Sequence, residues 1–287
     1  MKSHLECVPC FLRQASEAIM MSTDDEVVRE EALREVMSYL LYEEWGKVIP
    51  ELGTNVHRIV KRVTGNEDPY KQLKDECNEM ASKFYLKLEP AVKNSNDPLL
   101  TAAKIAIAGN AIDFGPRIEI DIEKEVQKVL EGKLAINNID QLKRSAQKSK
   151  DILYLADNAG ETFFDRILIG ELVKRDINVT YVVKGGSILN DATLRDAEMA
   201  GINSVAKVIS TGTDCTGVLF SECSKHFLRE FENCSLVISK GQGNYESLND
   251  VKNKEIFFLL KIKCSIIAED IGAKKASTVL KRFLKNE

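Results

Sequence analysis

The chain lacks an excess of basic charge: 40 Lys and Arg face 44 Asp and Glu, a formal net charge of −4 over 287 residues. Proteins that bind nucleic acid by neutralising phosphates carry such an excess, so no nucleic-acid partner is expected. Long apolar runs are missing too. None reaches the roughly 18 residues of a membrane span, so no membrane partner is expected. Met1-Lys2-Ser3-His4-Leu5-Glu6-Cys7 turns acidic where a secretory signal stays apolar, which points to a cytoplasmic protein. A disulfide framework is excluded because the cysteines, at 7, 10, 77, 215, 223, 234 and 264, are odd in number and scattered through a long chain. Cys234 and Cys264 lie in or beside apolar runs and read as small core residues. Histidine is scarce, and His4, His57 and His226 fall where surface or packing roles are expected.

What is present divides into two textures. Residues 1–98 read as a helical domain, with apolar residues at three- and four-residue steps over Glu6–Met21, Asp24–Trp45, Val56–Val63 and Pro69–Leu88. Ser22-Thr23-Asp24-Asp25 is an N-terminal cap cluster, and Tyr42 and Trp45 are expected in the core. Residues 99–287 open with a helix, Leu99–Ala108, and a solvated helical stretch, Glu119–Lys150. Five β-prone runs follow: Ile152–Ala156, Val179–Val183, Val205–Ser210, Leu236–Ser239 and Ile256–Ile262. Helical patterns at Phe163–Lys174 and Leu219–Phe231 lie between them. The fold class is therefore α/β: an N-terminal helical bundle plus a three-layer α/β/α core with a mainly parallel sheet.

Polar or glycine-bearing segments follow four of the runs. They are Asp157-Asn158-Ala159-Gly160-Glu161, Lys184-Gly185-Gly186 with Asn190-Asp191, Thr211-Gly212-Thr213-Asp214, and Lys240-Gly241-Gln242-Gly243-Asn244. In an open parallel sheet these loops converge on one edge, where ligands bind. Asp157, Asn158 and Asp191 are hard oxygen donors that suit Mg²⁺ or Mn²⁺ better than zinc. Lys240 with Gly241 and Gly243 offers a cation and close backbone amides to a phosphate, and Thr211, Gly212 and Thr213 can add donors. Each pair taken singly is also ordinary turn chemistry; their common edge is what favours a site.

At these motifs the chain resembles the DUF89 family, the damage-control phosphatases, in its archaeal and bacterial branch with an N-terminal cysteine pair. The likeness rests on Glu6-Cys7-Val8-Pro9-Cys10, Gly109-Asn110-Ala111-Ile112-Asp113-Phe114, Ala156–Glu161, Leu189-Asn190-Asp191-Ala192-Thr193, Ser210–Thr213 and Lys240–Glu246, in family order. It implies a phosphatase that uses a divalent metal (Mg, Mn, Co or Ni) and acts on small phosphorylated metabolites. The metal would sit on Asp157, Asn158 and Asp191, and the phosphate lysine would be Lys240. Asn110 and Asp113 would reach toward substrate, with Glu161 and Asn244 nearby.

Two nucleophiles remain open from the sequence: metal-bound water, or Asp157 forming an aspartyl-phosphate. Cys7 and Cys10 read as a structural pair, as half of a metal site completed by His4, His57 or Cys77, or as a redox pair. Competing functions are an S-adenosylmethionine-dependent carboxyl methyltransferase, from the loop after the first strand, and a non-enzymatic metal- or metabolite-binding protein. Neither the substrate nor the oligomeric state can be read from the residues.

Overall fold

The spacing of apolar residues sets the first layer in the computed structural model, which describes residues 1–111 and 122–284. Helices α1 (Cys7–Ser22), α2 (Glu26–Tyr42) and α3 (Ile49–Thr64) bury Phe11, Ala15, Ile19, Val36, Leu40, Leu52, Val56 and Val60 against one another. Asp25 is the cap chosen from the predicted cluster; its side chain accepts from the Val27 and Val28 amides. Pro50 lies in the first turn of α3, which starts earlier than the periodicity indicates because proline is pre-shaped for that position.

Tyr42 and Trp45 are not core residues: they are 84% and 52% exposed. The buried stripe of α2 runs through Ala32, Val36 and Leu40, and two residues past Leu40 the helix has turned Tyr42 to the opposite face. Trp45 instead closes the helix end, its indole N–H donating to the Leu40 carbonyl at 2.8 Å.

Helix α4 (Lys71–Lys93) continues past the expected end, with Pro90 inside it. Its Cys77, Ala81, Leu88 and Val92 share a core with α5 (Pro98–Ala111) and with the sheet. The stretch expected to be a solvated helix is α6 (Ile122–Glu131), a two-residue strand β1 (Ile136–Asn137) and α7 (Ile139–Ser149). Val126, Val129, Ile139, Leu142 and Ala146 bury one face of it.

The remainder alternates as β2 (Asp151–Leu155), α8 (Glu161–Val173), β3 (Asn178–Val183), α9 (Leu194–Met199), β4 (Lys207–Ser210), α10 (Lys225–Asn233), β5 (Leu236–Lys240), α11 (Gln242–Leu248), β6 (Glu255–Lys261), α12 (Ser265–Ile271) and β7 (Thr278–Leu284). The sheet order is β1-β7-β6-β5-β2-β3-β4, parallel at every pairing except β6 with β7. Because strand side chains alternate, Ile152, Tyr154, Tyr181, Leu236 and Ile238 face α5 and α8. Leu153, Leu155, Val182, Val237 and Phe258 join the opposite core with Phe227, Phe231 and Ile267. Cys234 and Cys264 are half-buried at the margin of that core. Among the described residues no helix is long and apolar enough to cross a membrane.

Candidate active site

The chain leaves β2, passes out through β3 and β4, and returns on the other side of β2 at β5. That reversal opens a crevice at the carboxyl ends of β2 and β5, where doubly wound sheets bind ligands. Asp157 and Asn158 leave β2 at this point, and Lys240 ends β5. The loop after β3 is stitched to the loop after β2. The Ala159 amide donates to the Asn190 carbonyl at 2.9 Å and the Ala192 amide to the Asp157 carbonyl at 2.8 Å. A short antiparallel bridge between Asn158 and Asp191 results, so the predicted metal set is brought together. The turn into it runs through Leu189 at φ 46°, a left-handed conformation that costs a branched residue about 1 kcal/mol.

Two amides order the acids. Asn110 Nδ2 donates to Asp157 Oδ2 at 2.6 Å and to Glu161 Oε1 at 2.9 Å, while its own oxygen accepts from the Lys261 amide at 3.1 Å. Asn158 Nδ2 donates to the same two oxygens. Burial, then the charges of Glu161 and Asp191, push the Asp157 carboxyl well above the usual carboxylate range, against the pull of Lys263 and Lys240. Burial raises Asp191 as well, opposed by Lys184, whose ammonium lies 3.5 Å from it.

Lys240 lies beneath this set rather than at its open side. Its ammonium is fully buried and donates to Glu161 Oε2 at 2.8 Å and Asp165 Oδ1 at 2.7 Å. Asp165 also accepts from the Tyr154 and Tyr181 hydroxyls, at 2.7 and 2.8 Å. The physical reason is strand alternation: Leu236, Ile238 and Lys240 share the face that α8 covers. Burial opposes the lysine's charge, but Asp165 and Glu161 outweigh it and raise the pKa above the ordinary value. Asn244 likewise serves the backbone, donating to the Ala156 and Lys240 carbonyls at 2.8 and 2.9 Å.

Gly241 meets the acids directly. At φ 76° it brings its Cα so close that a Cβ there would lie 2.1 Å from the Asp157 carboxylate carbon. The Thr211-Gly212-Thr213 segment is placed elsewhere: a Cβ on Gly185 would touch the Gly212 backbone at 2.5 Å, and Ser224 donates its amide to the Thr211 carbonyl. Asp113 lies outside the described residues.

A cavity of about 370 Å³ opens on Asp157, Asn158, Asp191 and Gly243. Its far wall comes from the helical layer, with Cys7, Cys10, Phe11, Arg13 and Tyr70, and its flank from Glu246, Lys263 and Cys264. Cys7 and Cys10 therefore face the same space as the acids, joined by Cys264 rather than by His57 or Cys77. His57 is buried edge-on to Tyr70, and the Cys77 carbonyl packs against Gly160. Among the described residues no three or more His, Cys, Asp or Glu form a group that could hold a metal ion. Sequence reasoning missed Lys263, Glu246, Arg13 and Tyr70 as lining residues. Lys263 had a signal, because it follows β6 at the same carboxyl edge.

The donor chemistry of Asp157, Asn158 and Asp191, two carboxylates and an amide brought side by side on bridged loops, would suit a hard divalent cation. Fold and site together define an α/β protein with a cavity lined by buried acids at a sheet switch point. The damage-control phosphatase ARMT1-like domain model matches residues 3–279. The chain is 42% identical over 285 residues to an uncharacterized protein of Methanocaldococcus jannaschii, covering 96% of this chain and 93% of that one. It is 35% identical over 285 residues, 98% of each chain, to the damage-control phosphatase PH1575 of Pyrococcus horikoshii. The crystal structure of a DUF89 family protein from P. horikoshii superposes with a TM-score of 0.92 at 34% identity, covering 98% of this chain and 99% of that one. The chain belongs to the damage-control phosphatase ARMT1-like (DUF89) family.

Proposed function

We propose that this protein is a cytoplasmic, metal-dependent phosphatase that hydrolyses phosphomonoesters of small metabolites, sugar phosphates or damaged phospho-cofactors, in the β2–β5 crevice. The observation that carries the reading is the convergence of Asp157, Asn158 and Asp191 on one cavity at the switch point. The damage-control phosphatase names of the P. horikoshii and Archaeoglobus fulgidus relatives support it.

Asp157, Asn158 and Asp191 would hold Mg²⁺, Mn²⁺, Co²⁺ or Ni²⁺, which supplies charge neutralisation at the phosphoryl group and a more acidic water. The chain's own residues do the rest. Asn110 and Asn158 fix the Asp157 carboxylate through Oδ2, and Lys240 holds Glu161 in place from below. Backbone at Gly243 borders the cavity on the side where an anion would approach. Water attacks phosphorus as the bond to the ester oxygen breaks, and that oxygen takes up a proton, giving an alcohol and inorganic phosphate. Water is preferred to Asp157 as nucleophile because Oδ2 of that carboxylate is occupied by hydrogen bonds from Asn110 and Asn158.

The test is a screen of phosphorylated sugars and cofactor fragments with each of the four metals. Phosphate release that depends on metal, and that Asp157→Asn or Asp191→Asn abolishes, is expected. Full activity in both variants at saturating metal, or release unaffected by chelator, would overturn the reading.

A further inference from the structure

Breaking the phosphate ester of a sugar or cofactor alcohol requires a proton for the departing oxygen, because an alkoxide leaves slowly on its own. Among the described residues, the carboxyl groups that line the cavity are those of Glu6, Glu17, Asp157, Asp191 and Glu246. Asp157 and Asp191 belong to the proposed metal set and bring a charge rather than a proton. Glu17 is engaged by Arg13 at 2.8 Å, and Glu6 is exposed ahead of α1. Burial moves the Tyr70 phenol and the Cys7 thiol, also on the wall, away from neutrality. Glu246 differs from all of these.

It stands on α11, three residues beyond Gly243 and four beyond Gln242; that spacing puts the three on one helix face, and all three line the cavity. The helix is held at several points. It begins directly after Gly241, which is packed against the Asp157 carboxylate. Asn244 donates to the Ala156 and Lys240 carbonyls, and the Tyr245 hydroxyl donates to Asp270. The Glu246 backbone carbonyl accepts from the Met1 ammonium. A fixed element thus carries this carboxyl on the same cavity as the metal set.

The surroundings of the side chain favour its protonated form. It is half-buried, with Cys7 of α1 and with Lys263 and Cys264, from the turn between β6 and α12, on the same cavity. Burial pushes its pKa up to about 7, against the pull of the Met1 ammonium and the Gln242 side chain. Near neutral pH such a group is ready both to give a proton and to regain one.

We propose that Glu246 is the general acid of this site, handing its proton to the ester oxygen as the bond from that oxygen to phosphorus breaks. The electron pair of that bond stays on the oxygen, which becomes the alcohol. The attacking water becomes a phosphate hydroxyl and sheds its other proton to solvent, from which Glu246 is recharged through the open cavity. The assignment rests on the phosphatase reading and supplies the proton that reading needs.

Glu246→Gln in the full chain keeps the size of the side chain and removes the acidic proton. Variant and wild type are compared, with saturating metal, on phosphomonoesters graded in leaving-group acidity from sugar phosphates to p-nitrophenyl phosphate. The variant is expected to lose about 10²–10³-fold in kcat on sugar phosphates, and the loss should shrink steadily as the leaving group becomes more acidic. An equal loss on every ester, or no loss on any, would overturn the assignment while leaving the phosphatase reading intact. A wild type that hydrolyses none of the series would overturn both. A second measurement needs no turnover: the infrared carboxylic-acid band that distinguishes metal-free wild type from Glu246→Gln should titrate near 7. A band that titrates near the ordinary 4.5 would overturn the assignment in an active enzyme.

Discussion

Gly241 and Asp157, one at the end of each strand that flanks the switch point, are packed so tightly that no side chain fits between them: a Cβ on Gly241 would stand 2.1 Å from the Asp157 carboxylate carbon. The glycine also sits at φ 76°, where an L-residue pays about 1–2 kcal/mol. Gly241→Ala should therefore displace Asp157 from its amides, costing most of the activity but only about 1–2 kcal/mol of stability. Metal affinity by equilibrium dialysis and a urea titration on the same sample check both halves. Native metal affinity in the alanine variant would contradict the contact.

Lys240→Met tests the buried network. Removing the ammonium leaves Glu161 and Asp165 facing each other in a dry interior, which should cost about 3–5 kcal/mol. Burial already holds the Asp165 carboxyl above its usual range, and losing Lys240 raises it further. Protonation then relieves the strain, so the deficit should shrink as the pH is lowered from neutrality toward 5. Denaturant titrations at several pH values measure it. A deficit independent of pH would mean that the carboxylates are not the source.

Much of this site is legible in the residues, and the exceptions have physical reasons. Asp157, Asn158 and Asp191 are recognisable because they leave strands whose apolar runs are local and unambiguous. The direction of Lys240 depends on which face of β5 a helix covers, and no local pattern states that. Lys263 escapes notice because Lys261-Ile262-Lys263-Cys264 carries neither glycine nor acid, although it directly follows a β-prone run. Strands β1 and β7 escape as well, since β1 has two residues and β7 alternates buried and exposed positions among basic side chains. Tyr42 falls opposite the buried stripe of α2, and the exposure of Trp45 turns on where that helix stops, which periodicity does not fix.

The metal assignment makes a separate prediction that does not require turnover. Asp191 reaches the cluster only through the backbone stitch to Asp157 and Asn158. Replacing either acid by asparagine keeps the shape and removes one charge. Divalent-metal binding, read by calorimetry, should weaken by at least about tenfold in Asp157→Asn and in Asp191→Asn. It should be unchanged in Asp214→Asn, whose carboxylate is engaged by Arg58 and Lys61. Equal loss in all three would indicate a general charge effect.

His57 gives the helical layer its own pH dependence. Its ring is buried, Nε2 finds no hydrogen-bond partner among the described residues, and burial, then Lys61, lowers its pKa to about 4. The unfolded chain protonates this histidine near its ordinary value of 6.5. Between about 6.5 and 4 the unfolded state thus binds a proton that the native state refuses, and stability falls as the pH is lowered through that window. The lost stability approaches about 3 kcal/mol at the lower end. Since α3 also supplies Ile49, Pro50 and Gly53 to the cavity wall, activity at acid pH should fail together with this layer. His57→Phe, which keeps the edge contact with Tyr70, should flatten the slope of unfolding free energy against pH across the window. An unaltered slope in that variant would assign the acid sensitivity to a group other than His57.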